Sequence, residues 1–122
     1  MDEREEFLKK ANTKLLASKI LFESEDYSDS VSLSYYAMFL MAKILLIKKG
    51  VYPKTHSGMI NTFYNEYVGN GDFDEEIFKN FARTQSLREK SDYSAFDGIT
   101  EEIANDKIIQ AEEFIAEAQK FL

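Results

Sequence analysis

The sequence predicts an all-α domain: an up-and-down antiparallel bundle of four long helices plus one short helix, spanning residues 1–122 as a single unit. Three observations predict it. Apolar residues recur at alternating three- and four-residue intervals along most of the chain. One proline and five glycines in 122 residues are too few for a loop-rich or disordered chain. No run of alternating apolar and polar residues competes with the helical period.

The first helix is expected from about Asp2 to Glu23, with Leu8, Ala11, Leu15, Ser18 and Phe22 on one stripe and Leu16 and Ile20 widening it. Acids crowd its first turn, as the helix dipole prefers. Glu25-Asp26-Tyr27-Ser28 supplies a turn and capping side chains. A second helix then runs from about Tyr27 to Lys49 and stops at Gly50, with Pro53 just beyond. Its middle, from Leu33 through Tyr35, Tyr36 and Phe39 to Leu45, is apolar on nearly every side, so this helix is central or also lines a subunit interface. The short helix fits Ser57 to Val68, with Thr55 or His56 near its start and Gly69-Asn70-Gly71 ending it. Asp72 or Asp74 caps a fourth helix from about Asp74 to Asp92, and Thr100 caps the fifth. The fifth is the clearest periodic segment, with Ala104, Ile108, Ala111, Ile115, Ala118 and Leu122 spaced by four and three.

A chain of this length buries about two-thirds of its unfolded surface, so one core suffices without disulfides or structural metal. The absence of cysteine excludes a disulfide framework, Cys-ligated zinc, iron–sulfur clusters and thiol catalysis, and it suits a reducing cytoplasm. The start, MDEREEFLKK, is charged throughout and is no secretory signal. The longest apolar run, Tyr35 to Ala42, is interrupted by Lys43 and falls short of the roughly 20 residues a membrane span needs. A cytoplasmic protein with no membrane partner is therefore expected.

Fifteen basic against 22 acidic residues give a net charge of −7, which disfavours non-specific coating of nucleic acid. The charge is unevenly spread. Residues Met1 to Asn61 carry +1 and Thr62 to Leu122 carry −8, and no acid falls between Ser30 and Asn65 although Lys43, Lys48, Lys49 and Lys54 do. Those lysines either solubilise a helix C-terminus, where they suit the dipole, or mark a cationic end.

The fourth helix has the oddest pattern. Ile77 and Phe81 define an inward face that continues at the same spacing as Thr84, Arg88 and then Ser91 or Asp92. A half-buried arginine needs a partner. In an up-and-down bundle the C-terminal half of this helix lies beside the N-terminal half of the second, where Ser34, Tyr35 and Tyr36 offer hydroxyls. The alternative is an internal ion pair from Arg88 to Asp92, one turn on.

His56 is the only histidine, so histidine pairs for a metal or a relay are excluded, and no metal or cofactor is expected. Lys54-Thr55-His56-Ser57-Gly58 reads either as a helix cap or as an anion-binding turn. Asp72-Phe73-Asp74-Glu75-Glu76 lacks the glycine and the twelfth-position glutamate of a calcium loop, and it reads as a cap. Phosphate-loop and nucleophile-elbow glycine motifs are absent. A helix as long as the second spans on the order of 30 Å. His56, beyond its end, is thus expected out of reach of Tyr35, Tyr36 and Arg88 within one subunit, with only dimer packing able to join them.

Ser34-Tyr35-Tyr36-Ala37-Met38-Phe39, then Gly50 with Lys54-Thr55-His56-Ser57-Gly58, then Leu87-Arg88-Glu89-Lys90-Ser91-Asp92-Tyr93 together resemble the HEPN superfamily, in particular its small stand-alone prokaryotic branch. The resemblance spans nearly the whole chain. It implies a helical bundle that often forms a homodimer and is commonly encoded beside a minimal nucleotidyltransferase in a toxin–antitoxin-like system. Many relatives are metal-independent ribonucleases whose Arg-x4-6-His motif combines a histidine acting on the ribose 2′-hydroxyl with an arginine stabilising the transition state. Arg88 matches the arginine, while Tyr93 stands where the motif has its histidine; an unperturbed tyrosine, with a pKa near 10, is a poor base at neutral pH.

The first reading is therefore a nucleotide- or RNA-interacting partner of a minimal nucleotidyltransferase. Arg88 binds phosphate, Tyr35, Tyr36 and Tyr93 stack on or hydrogen-bond a base or ribose, and Asp92 orients the arginine or a tyrosine hydroxyl. Lys54 and His56 are further candidates for nucleotide or RNA binding. The alternatives are a ribonuclease toxin using Arg88, Asp92 and Tyr93, and a purely structural dimerising subunit.

Overall fold

The computed structural model describes residues 3–93 and 98–122, with Tyr93 described by its backbone alone. Among the described residues five α-helices follow in order: α1 (Glu3–Glu23), α2 (Tyr27–Lys48), α3 (His56–Phe63), α4 (Glu75–Tyr93) and α5 (Glu101–Gln119). Among the described residues there is no strand. The all-α bundle expected from the sequence is what the chain forms. One detail differs: the short helix begins at His56, and from Tyr64 to Val68 it widens into a π-helical turn.

Side chains set the helix starts. Asp26 accepts from the Asp29 amide and caps α2, Thr55 accepts from Gly58 and caps α3, and Thr100 accepts from Ile103 and caps α5. Of the two candidate caps for α4, it is Asp74 whose Oδ1 accepts from the Ile77 amide at 2.9 Å. Two helices end in the same motif. After α1 the amides of Glu25 and Asp26 bond the carbonyls of Phe22 and Leu21, and after α2 those of Gly50 and Val51 bond Ile47 and Leu46. The residue in the left-handed region is Glu25 in the first case and Gly50 in the second, with φ of 62° and 74°.

α2 is the central element, packed by α1, α4 and α5. By length and composition it would suit a membrane span, yet Val31, Tyr35, Met38, Met41, Ala42, Leu45 and Leu46 are all buried inside the bundle. Antiparallel pairing of α1 and α2 is tied by buried hydroxyls. Ser18 Oγ donates to the Ser30 carbonyl at 2.7 Å and lies 2.7 Å from Ser34 Oγ, while Ser30 Oγ donates to the Ser18 carbonyl at 2.8 Å. Ser34 is thus spent on α1 and does not face α4. The other half of the core is aromatic: Phe63, Phe73, Phe78, Phe81 and Phe114 pack ring on ring.

Candidate functional site

The site assembles around two consecutive residues of the central helix. Tyr35 points into the core, is fully buried, and stacks on Phe81 of α4 with ring centroids 5.8 Å apart. Tyr36, one position on and rotated by about 100° on a helix of 3.6 residues per turn, is half-buried at the bundle surface. Phe39, three residues after Tyr36 and four after Tyr35, shares their neighbourhood.

α4 runs antiparallel to α2 here, as Ser28 meeting Ser91 at 3.0 Å shows, and this brings Arg88 over both tyrosines. Arg88 Nη2 donates to Tyr36 Oη at 3.1 Å. The guanidinium carbon lies 4.9 Å from the Tyr36 ring centre and 5.3 Å from that of Tyr35. Asp92 pairs with the same Nη2 at 3.3 Å. The two sequence readings of Arg88, hydroxyls from α2 or the acid one turn along, are therefore both realised at once.

His56 arrives from the third side. Its Nδ1 lies 2.6 Å from the Tyr35 hydroxyl, and its ring stacks on Phe39 at 4.5 Å. This overturns the expected separation of His56 from the tyrosines and Arg88 within one subunit. Tyr35 sits in the interior of α2, thirteen residues before Lys48, so the distance to be recovered is about 20 Å at 1.5 Å per residue. The seven residues Lys49–Thr55 contain Pro53 and no regular helix, and seven extended residues reach about 23 Å. The left-handed turn at Gly50 sends this connector back along the helix it has just left.

The cluster's electrostatics favour uncharged rings. Burial pushes the Tyr35 hydroxyl far above the ordinary tyrosine range, against a smaller opposite pull from Arg88. Burial also lowers His56 below its ordinary value, and the positive charge of Arg88 lowers it further, with Glu89 opposing. At neutral pH the site therefore presents one fixed cation, Arg88, beside a neutral imidazole. Beside it, Tyr36 and Phe39 form the wall of a shallow groove of about 300 Å³ that is completed by Leu33, Leu40, Lys10 and Lys14.

Of the residues singled out from the sequence, Tyr35, Tyr36, His56, Arg88 and Asp92 come together. Lys54 is exposed and lines a different recess with Lys43, Ile47 and Tyr52. The Tyr93 side chain lies outside the described residues. Phe39, Phe81 and Glu89 are not among the site residues that the sequence singles out; the first follows from helical spacing to Tyr35 and Tyr36, whereas the other two need the register of α4 on α2. Among the described residues no group of three or more histidines and acids could hold a metal ion. What the arrangement can do is grip an oxyanion with Arg88, donate from an imidazole, and offer aromatic faces to a flat ring.

A family model described as HEPN domain matches residues 4–121. A Methanocaldococcus jannaschii protein named "Putative toxin" is 40% identical over 112 residues, covering 92% of this chain and 83% of that protein. A second protein of that name from the same organism is 34% identical, with 98% and 82% covered. A UPF0332 protein of Thermotoga maritima is 30% identical, with 100% and 96% covered. In fold, the chain matches the crystal structure of a Thermus thermophilus protein with a TM-score of 0.82 at 16% identity, over the whole of both chains.

Proposed function

The chain belongs to the HEPN domain family, and from that premise we propose that it is a toxin-like, cytoplasmic HEPN subunit that binds a nucleotide or RNA phosphate at Arg88. The observation that carries this reading is the convergence of Arg88, Tyr36 and His56 from three helices on one half-open spot. A lone structural arginine is satisfied by Asp92 alone. Here its guanidinium carbon also lies 4.9 and 5.3 Å from the centres of two tyrosine rings beside an imidazole, which is the composition of a site for a phosphate attached to a flat base. The subunit works as a homodimer beside a minimal nucleotidyltransferase; the names of the two Methanocaldococcus relatives support the toxin-like part of this reading.

The test is a titration of ATP, GTP and short single-stranded RNA followed by tyrosine fluorescence corrected for absorption by the bases; with seven tyrosines and no tryptophan, the emission is that of tyrosine. Saturable quenching that is lost in Arg88→Ala supports the reading, and no response at millimolar ligand sinks it. Co-purification with a minimal nucleotidyltransferase tests the partner, and light scattering at tens of micromolar tests the dimer.

A second reading, a metal-independent ribonuclease, is favoured by one observation: a histidine does stand one tyrosine away from Arg88, although it comes from α3 and not from the position of Tyr93. Cleavage of structured or single-stranded RNA by the wild type and not by Arg88→Ala decides for it.

A further inference from the structure

We infer that Tyr35 is the positioning residue that fixes His56 in one tautomer, with the proton on Nε2, so that His56 meets the ligand's phosphate oxygen as a hydrogen-bond donor and not as a base. The inference rests on the phosphate-binding reading above and gives its second contact an identity.

The argument is one of proton accounting. A phenol has one hydrogen to donate, and Tyr35 is fully buried with His56 Nδ1 at 2.6 Å. A buried hydroxyl that cannot donate carries the full cost of its lost solvation. The hydrogen bond therefore runs from Tyr35 to Nδ1. A neutral imidazole that accepts at Nδ1 holds its proton at Nε2. The opposite tautomer would point Nδ1–H at the phenol oxygen and strand the phenol hydrogen in the core. Doubly protonated His56 would do the same.

The groups facing His56 agree. From α2 come Tyr35, Tyr36 and Phe39, none of them charged, and from α4 come the cation Arg88 and the acid Glu89. Tyr36 touches both His56, at 6.2 Å between rings, and Arg88, so the imidazole and the guanidinium stand one tyrosine apart. With Nδ1 spent on the core, Nε2–H is the edge left for a ligand. An oxyanion lying across Tyr36 would take a charged donor from Arg88 and a neutral one from His56. The ligand chemistry is a phosphate ester, either the terminal phosphate of a nucleotide or the diester of an RNA strand.

His56 is the chain's only histidine, so long-range proton–nitrogen correlation spectra of 15N-labelled protein contain one imidazole. At neutral pH the wild type is expected to show a bare Nδ1 and a protonated Nε2. Tyr35→Phe, which removes only the hydroxyl, should mix the tautomers and raise the titration midpoint. Adenosine monophosphate and a short RNA oligonucleotide are added separately, and at least one should shift Nε2; which one does identifies the phosphate's source. His56→Gln, which keeps an N–H donor near the Nε2 position, should bind that probe at least tenfold tighter than His56→Asn, which does not.

A proton found on Nδ1 in the wild type, or equal binding by the two amide variants, overturns the donor role. It leaves the phosphate-site reading standing wherever binding still depends on Arg88. A fixed Nε2–H with no shift and no fluorescence response to either probe overturns both.

Discussion

Arg88 donates to the Tyr36 hydroxyl at 3.1 Å while lying 4.9 Å from the centre of the same ring, so one tyrosine holds the arginine by edge and by face. The flat guanidinium alone can do this and still offer its remaining N–H groups outward. Arg88→Lys keeps the charge but loses the fork, and it should weaken phosphate binding about tenfold, roughly one charge-assisted hydrogen bond. Arg88→Ala should abolish binding. Its stability cost should stay near 1 kcal/mol, because the Asp92 end of the ion pair is 42% exposed and screened by water. Fluorescence titration and urea unfolding measure the two effects separately.

His56 gives stability a pH dependence whose sign follows from its depressed pKa. Above the ordinary value near 6.5 both folded and unfolded chains hold it neutral. As pH falls through that value the unfolded chain takes the proton first, so stability drops until the folded pKa is passed and then levels. Urea unfolding between pH 7.5 and 5 should show this decline in the wild type and a shallower one in His56→Gln. A decline of the same size in both would assign it to carboxylates instead.

The sequence contains this site unevenly. Tyr35 with Tyr36, and Arg88 with Asp92, are fixed by helical spacing, and a polar residue on an apolar stripe already asks for a buried partner. His56 escapes that logic because its position depends on the path of Lys49–Thr55, which has no period to read. Helix length measured end to end is the wrong ruler: Tyr35 lies in the interior of α2, and an extended connector regains the distance. The Ser18 contacts are hidden for a related reason. A serine on an apolar stripe looks like a tolerated small residue until the facing helix supplies Ser30 and Ser34. The caps and helix ends, which depend on local sequence alone, are legible nearly to the residue, whereas the widening of the third helix at Tyr64 has no local signal.

The buried serines yield a non-additive prediction. Ser18→Ala removes the partner of Ser34 Oγ and one bond to the Ser30 carbonyl, and should cost about 1–3 kcal/mol for the polar groups left in a dry interface. Replacing Ser18, Ser30 and Ser34 together by alanine leaves no hydroxyl stranded. The triple variant should be less destabilised than the sum of the three single changes by on the order of 1 kcal/mol or more. Urea unfolding of the four variants measures it, and strict additivity would mean the hydroxyls act independently.

The paired helix ends carry their own control. Glu25 and Gly50 occupy equivalent left-handed positions after α1 and α2, yet only one is the residue that the geometry favours. Glu25→Gly should stabilise the protein by up to about 1 kcal/mol, and Gly50→Ala should destabilise it by about 1–2 kcal/mol. No neighbour lies within 4 Å of a Cβ built at Gly50, so that loss would be backbone strain and not a clash. Because Gly50 also aims the connector that returns His56 to Tyr35, Gly50→Ala should broaden the His56 imidazole signal as well, and Glu25→Gly should leave it unchanged.

Net charge and local charge make opposite demands on RNA binding, and salt separates them. The chain carries −7 overall, while the cations at the site are Arg88 and, on the rim of the adjoining groove, Lys10 and Lys14. Neutralising one to three phosphates of a single strand gives a slope of about −0.7 to −2.1 in log affinity against log salt. Between 50 and 200 mM salt the affinity for a short RNA should therefore fall only about threefold to twentyfold, far less than the thousandfold or more of a protein gripping six to ten phosphates. Arg88→Lys, which keeps the charge, should bind more weakly with an unchanged slope. Lys10→Ala and Lys14→Ala should each reduce the slope by about 0.7 if the strand continues from Tyr36 along the groove, and should leave the slope untouched if a single phosphate at Arg88 is all that is held.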